Sequence, residues 1–162
     1  MTTVLEARDR YLAENGFSIE TYTASTFQIP FFRWDLTLPN TKARQAAVPL
    51  HDLHHVATGY GTDYVGEGEI GMWELVAGCN SFATYYLNGS AAFTACFLAP
   101  RRMWRAWRRA QGAKTLYRRP LAYEDALRMS VAELRAHLGV PPAGVAEGPR
   151  RLHRRAPVLV PA

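Results

Sequence analysis

The sequence predicts an all-α fold: a compact single-domain helical bundle with an irregular N-terminal segment and an irregular C-terminal tail. Three observations carry this reading. Two stretches, "VLEARDRYLAENG" and "MSVAELRAHLGVPP", have apolar residues at helical spacing and end on glycine. The stretch "PLHDLHHVATG" opens on proline, repeats its polar side chains at helical spacing and also closes on glycine. From Ile70 to Pro100 the chain carries one charge, Glu74, enough apolar sequence for two buried helices. At 162 residues, 48% hydrophobic and 20% charged, the chain can bury a substantial core, and its composition excludes disorder.

Taken in order, the first helix places Val4, Ala7, Tyr11 and Leu12 on one face and stops at Asn15-Gly16. The following "FSIETYTASTFQIPFFRWDLTLPNT" is aromatic and β-branched but interrupted by Pro30 and Pro39. It reads as extended chain wrapping the helical body rather than as regular sheet. Pro49 fits the first turn of the histidine helix, which ends by Gly59, and "GYGTDYVGEG" reads as a glycine-rich turn. In the uncharged region, Asn88-Gly89 reads as a break between two helices, and the scattered polar residues argue against a bilayer crossing. These helices are expected to wall an apolar pocket lined by Phe82, Tyr85, Tyr86 and Phe93.

"RRMWRAWRRAQGAKTLYRR" holds eight basic residues in nineteen and no acid. Met103, Trp107 and Ala110, with Trp104 beside them, form one stripe, and Arg101, Arg102, Arg105, Arg108 and Arg109 fill the rest. Two readings stay open: a solvated face on a packed helix, or peripheral contact of Arg101–Arg109 with anionic lipid headgroups. No recognition motif accompanies the charge, so nucleic acid is not an expected partner. The last helix has Ser130 and Glu133 at capping-box spacing, with Val131, Leu134 and Leu138 as its stripe. Residues 1–140 form the expected metal-binding helical domain, and 141–162 the tail. Cys79 and Cys96 form no close motif and read as buried thiols of a reducing compartment. With a charged N-terminus and no visible secretory signal, the expected location is cytoplasmic.

Three of the chain's five histidines fall within five positions, 51–55. On a helix, His51 and His55 project from one face a turn apart, and Asp52, three before His55, can reach the same neighbourhood. Two imidazoles and a carboxylate suit a divalent metal, and Glu67 could close the set from the next helix. Glu74, two turns on, returns to that face as a supporting group or base. His54, about 100° away from His55, reads as a supporting or surface residue. Clustered polar residues capping a helix, a metal-free dyad, and a His-Asp phosphohydrolase site are the rival readings. The last lacks any upstream histidine. His137 and His153 are isolated and carry no expected chemistry.

His51-Asp52-x-x-His55, eleven residues, then Glu67 resembles the HDxxH-x11-E motif of the coenzyme Q (ubiquinone) biosynthesis family often called the fourth Coq protein. "VGEGEIGMWELVAG" and "RRAQGAKTLY…YEDALRMSVAELRAHLGV" are similar to further parts of that family, so the likeness runs from about residue 38 to 140. The resemblance implies an all-helical protein that holds a hydrophobic aromatic or prenylated small molecule and associates peripherally with membrane. One divalent metal is expected on His51, Asp52, His55 and Glu67, where two nitrogens and two oxygens suit zinc, but also iron(II), manganese or cobalt. The implied activity is ubiquinone-type ring decarboxylation and hydroxylation, or tailoring of a related quinone-like or polycyclic metabolite. The rival is a non-catalytic prenyl-lipid-binding scaffold of a biosynthetic complex. A homodimer fits either.

Overall fold

Side-chain caps set where the helices start. α1, Val4–Asn15, opens on Thr3, whose hydroxyl accepts the Glu6 N–H while the Glu6 carboxylate accepts the Thr3 N–H. It ends at Gly16, whose φ of 68° places it in the left-handed region. In the computed structural model, residues 1–31 and 34–147 are described; most of the expected tail, including His153, lies outside them. The buried face of α1 is Val4, Arg8, Tyr11 and Leu12, so Arg8 takes a place the periodicity assigned to Ala7. The Arg8 guanidinium donates to the Tyr123 hydroxyl at 3.0 Å and to Asp9 at 2.7 Å.

After a 3-10 turn at Ile19–Tyr22 the chain forms an antiparallel hairpin, β1 Thr26–Phe31 and β2 Trp34–Pro39. This corrects the expectation of irregular extended chain. A two-stranded sheet has no central strand, so prolines at 30 and 39, which lack an N–H, can sit where no second ladder needs a donor.

α2, Lys42–Thr58, is also longer than expected. Thr41 caps it, accepting the Arg44 N–H at 3.3 Å, and Pro49 lies inside it rather than in its first turn. The run "KARQAA" before the proline consists of good helix formers, which carries the helix two turns upstream.

α3, Tyr64–Ala77, begins at Asp63, whose carboxylate accepts the Val65 and Gly66 N–H groups. Gly66 and Gly68 therefore belong to a helix and not to a turn. Close approach explains them: a Cβ on Gly68 would lie 2.1 Å from the Ala95 Cβ. One on Gly71 would lie 2.8 Å from the Asn88 carbonyl oxygen. The partner is α4, Phe82–Leu98, which runs unbroken through Asn88-Gly89 and turns Thr84, Asn88, Ala92 and Ala95 towards α3. The expected break lies earlier, at residues 78–81, where Gly78 has φ 116°.

α5, Pro100–Arg109, buries Met103 and Ala106, with Ala110 following, while Trp104 and Trp107 are exposed. The buried stripe thus follows the small residues and Met103 rather than the indoles. α6, Tyr123–Arg128, and α7, Val131–Leu138, complete seven α-helices among the described residues. Leu53, Ala57, Ile70, Trp73, Leu134 and Leu138 centre the core. The start of the expected tail is irregular but packed: Val145 is buried, and the Val145 and Ala146 N–H groups donate to the Thr58 carbonyl. Among the described residues no helix is long and apolar enough to cross a membrane.

Candidate metal centre

α2 and α3 bring His51, His55 and Glu67 together, and these three could hold a metal ion. The i, i+4 spacing stacks the two imidazoles one turn apart. Their Nε2 atoms are 3.1 Å from one another. The Glu67 carboxylate, on the first turn of α3, lies 3.6 Å from His51 Nε2 through one oxygen and 4.0 Å from His55 Nε2 through the other.

The far nitrogens show why the Nε2 atoms converge. His55 Nδ1 donates to the Tyr60 carbonyl at 3.0 Å, and a carbonyl can only accept. His51 Nδ1 lies 2.8 Å from Glu74 Oε1. With both Nδ1–H groups spoken for, each neutral imidazole presents an Nε2 lone pair inward, the tautomer that a metal ligand requires. Two lone pairs at 3.1 Å repel unless something positive lies between them, either a proton on one ring or a cation.

The surrounding electrostatics agree with this. Burial, reinforced by the neighbouring His51 charge, pushes His55 down to about 4, so it is neutral near pH 7. Burial also disfavours the charged form of His51, but Glu74 and Glu67 outweigh it and raise its pKa well above the usual value. His55 is fully buried, whereas His51 and Glu67 keep 21% and 26% of their side chains exposed. The ligand set therefore opens to solvent on one side.

Of the two roles open to Glu74, a supporting group or a base, its surroundings are those of a supporting group. It is fully buried: Oε1 takes the Nδ1 atoms of His51 and His54 at 2.8 and 2.6 Å, and Oε2 takes the Asn88 amide at 2.5 Å. Burial alone would raise its carboxyl, yet the two imidazoles hold it well below the carboxylate range. It acts through His51 by orienting the ring. Asp52 leaves the expected ligand set. One residue after His51 is about 100° around the helix, and its carboxylate accepts the Tyr22 hydroxyl at 2.6 Å instead. Burial, opposed by His51 and the Tyr22 bond, raises Asp52 to about 6.

The proposed pocket lining is corrected outright. Phe82, Tyr85, Tyr86 and Phe93 are 85%, 45%, 65% and 67% exposed, because α4 spends its inward face on the glycine seam with α3. The basic helix pairs much of its charge: Arg102 forks onto Glu69 at 2.8 and 2.5 Å, and Arg105 and Arg109 both meet Glu147. The His137 ring lies 3.2 Å from the Arg119 carbonyl.

Three contributors escaped the sequence reading, and His54 takes the supporting role it allowed. His54 is wholly buried, donating to Glu74 and accepting the Leu116 N–H at 2.9 Å. Asn88, the Tyr60 carbonyl and the Tyr11 ring, stacked on His55 at 5.3 Å between centroids, complete the setting. Only Glu74's two-turn spacing from Glu67 offered a signal in advance. Comparison with known proteins finds no matching family model, no similar curated protein and no similar solved structure.

Proposed function

We propose that this chain is a divalent-metal-dependent enzyme acting on an acidic, hydrophobic aromatic or prenylated ring. One observation carries the reading: among the described residues the convergent donors are three, not four, and they open to solvent on one side. A structural ion is usually enclosed by four protein ligands, whereas a catalytic one keeps a position for water or substrate. Two nitrogens and a carboxylate suit zinc, and also iron(II), manganese or cobalt. A metal there would act as a Lewis acid on a bound oxygen and supply an activated water or dioxygen site.

The chain's own residues divide the remaining work. Glu74 and the Tyr60 carbonyl fix the two imidazoles, and Tyr11 covers the His55 face. Arg44 lies two turns before His51 on the same face of α2, and its charge is felt at Asp52 and Glu67. In this reading Arg44, which also donates to Asn40 and lies over the Phe27 ring, would hold the carboxylate or phenolate of an incoming ring. The ring itself, with ubiquinone-type decarboxylation and hydroxylation or tailoring of a related metabolite, comes from the motif resemblance. The exposed aromatics of α4 favour a second reading, a non-catalytic scaffold that docks partners or prenyl lipid.

The test pairs elemental analysis with turnover. The purified protein should carry close to one metal equivalent, and His55→Ala should carry almost none. Glu67→Gln should lose turnover on a ring carboxylate by at least about 100-fold while keeping its melting temperature within a few degrees. Equal metal content in the wild type and His55→Ala would sink the assignment. A chelator that collapses the fold, with no turnover on any aromatic acid, would favour the scaffold.

A further inference from the structure

Among the described residues, α4 carries seven exposed large apolar side chains that the metal centre does not use. Phe82, Tyr86, Phe93 and Phe97 share one stripe of the helix and are 65–85% exposed. Phe82 stacks on Tyr86 at 6.2 Å, and Phe93 meets Phe97 edge-on at 5.0 Å. Between the two pairs lies a notch, Gly89 and Ser90, where a Cβ on Gly89 would meet nothing within 4 Å. No charged residue occurs anywhere on α4.

The order of these residues is symmetric about the notch. Phe82 and Tyr86 stand seven and three residues before Gly89; Phe97 and Phe93 stand seven and three after Ser90. From this we infer that α4 is the interface of a twofold homodimer in which two copies of the helix cross antiparallel at Gly89-Ser90. In that register Phe82 of one protomer faces Phe97 of the other, and Tyr86 faces Phe93. Each pairing then occurs twice, as an isologous interface demands. The notch lets the two backbones approach where the helices cross, as small residues do at close helix crossings.

The area fits as well. At about 200 Å² per fully exposed ring, these four with Tyr85 expose on the order of 700 Å². That approaches the ~800 Å² one partner contributes to a stable interface, and exceeds the ~300–600 Å² patch found on ordinary monomers. A lipid surface accounts for the apolarity, but not for the residue-by-residue symmetry. Nor does it account for the lack of a cation on this helix.

Sedimentation of the full chain at micromolar concentration should give a dimer. Tyr86→Glu and Phe93→Lys should each weaken association by at least about 100-fold, with helix content and metal binding unchanged because both side chains face outward. Combined on one chain, the two substitutions place opposite charges across the interface and should restore the dimer. Tyr86→Glu with Phe97→Lys should not restore it. In a Cys96→Ser background, Ser90→Cys should form a disulfide-linked dimer on mild oxidation. The inference is overturned by a monomer at every concentration, or by a dimer that Tyr86→Glu leaves intact. It is equally overturned by a monomer that pellets with phosphatidylcholine–phosphatidylglycerol vesicles through this face. None of these readouts depends on turnover, so the proposed activity stands or falls separately.

Discussion

α3 buries two glutamates five residues apart, Glu69 and Glu74, and resolves them in opposite ways. Glu69 meets a permanent cation: Arg102 grips it with a bidentate fork and reaches solvent with the remainder of its side chain. Among the described residues Glu74 meets no permanent cation; it is held by two imidazoles and an amide, all buried or half-buried. An arginine cannot give up its proton, so Glu69 is fixed as a clamp between α3 and α5. Histidines can exchange a proton for a metal, so Glu74 sits at the hinge between structure and chemistry. The pKa directions follow: burial dominates at Glu69 and raises it, while the imidazoles dominate at Glu74 and lower it.

The largest effect should come from Glu74→Ala. It strands His51, His54 and Asn88 together, and removing one member of a buried charged network costs about 3–5 kcal/mol. Denaturant melts should show that loss, with metal affinity down at least about 10-fold. A loss as small as that of a surface glutamate would mean that the network does not hold the core.

Glu69→Gln should cost less, about 1–2 kcal/mol, because solvent can compensate the exposed part of Arg102. Its metal content should equal that of the wild type. If Glu69→Gln released the metal as readily as Glu74→Ala, the contrast between clamp and hinge would be wrong.

The smallest effect is one of pH, in the chelated protein. Asp52 is raised from 3.8 to about 6, so its contribution fades as pH rises over that window. His55 is lowered from 6.5 to about 4, so its contribution fades as pH falls over nearly the same window, and the two largely offset. His51 remains: its raised pKa stabilises the fold fully below 6.5, and this is lost as pH climbs through the raised value. Melting temperature with chelator should therefore drop on the alkaline side. With metal present the drop should vanish, since the ion takes the place of the proton; parallel curves would refute the exchange.

Much of this was legible in advance because it is local. The cap at Ser130, the stops at Gly16 and Gly139, and the His51–His55 spacing involve residues within one or two turns. What failed was tertiary. Asn88-Gly89 reads as a break until Glu74 supplies a partner for the amide. The aromatics of α4 read as pocket lining because hydrophobicity does not say which side of a helix the core occupies. Asp52 looked like a ligand until Tyr22, thirty residues upstream, claimed its carboxylate.

The glycine seam between α3 and α4 has zero clearance. At Gly68 and Gly71 the closest approaches are to the Ala95 methyl and the Asn88 backbone, neither of which can bend aside. Tolerance to substitution is thus inverted relative to size. Removing the whole Phe82 ring should cost a monomer little, whereas adding one carbon in Gly68→Ala must push two helices apart. Because α4 carries Asn88 to Glu74, and Glu74 carries His51, that single carbon should register at the ligand set as weakened metal binding. A Gly68→Ala protein with wild-type metal affinity would show that the joint has slack.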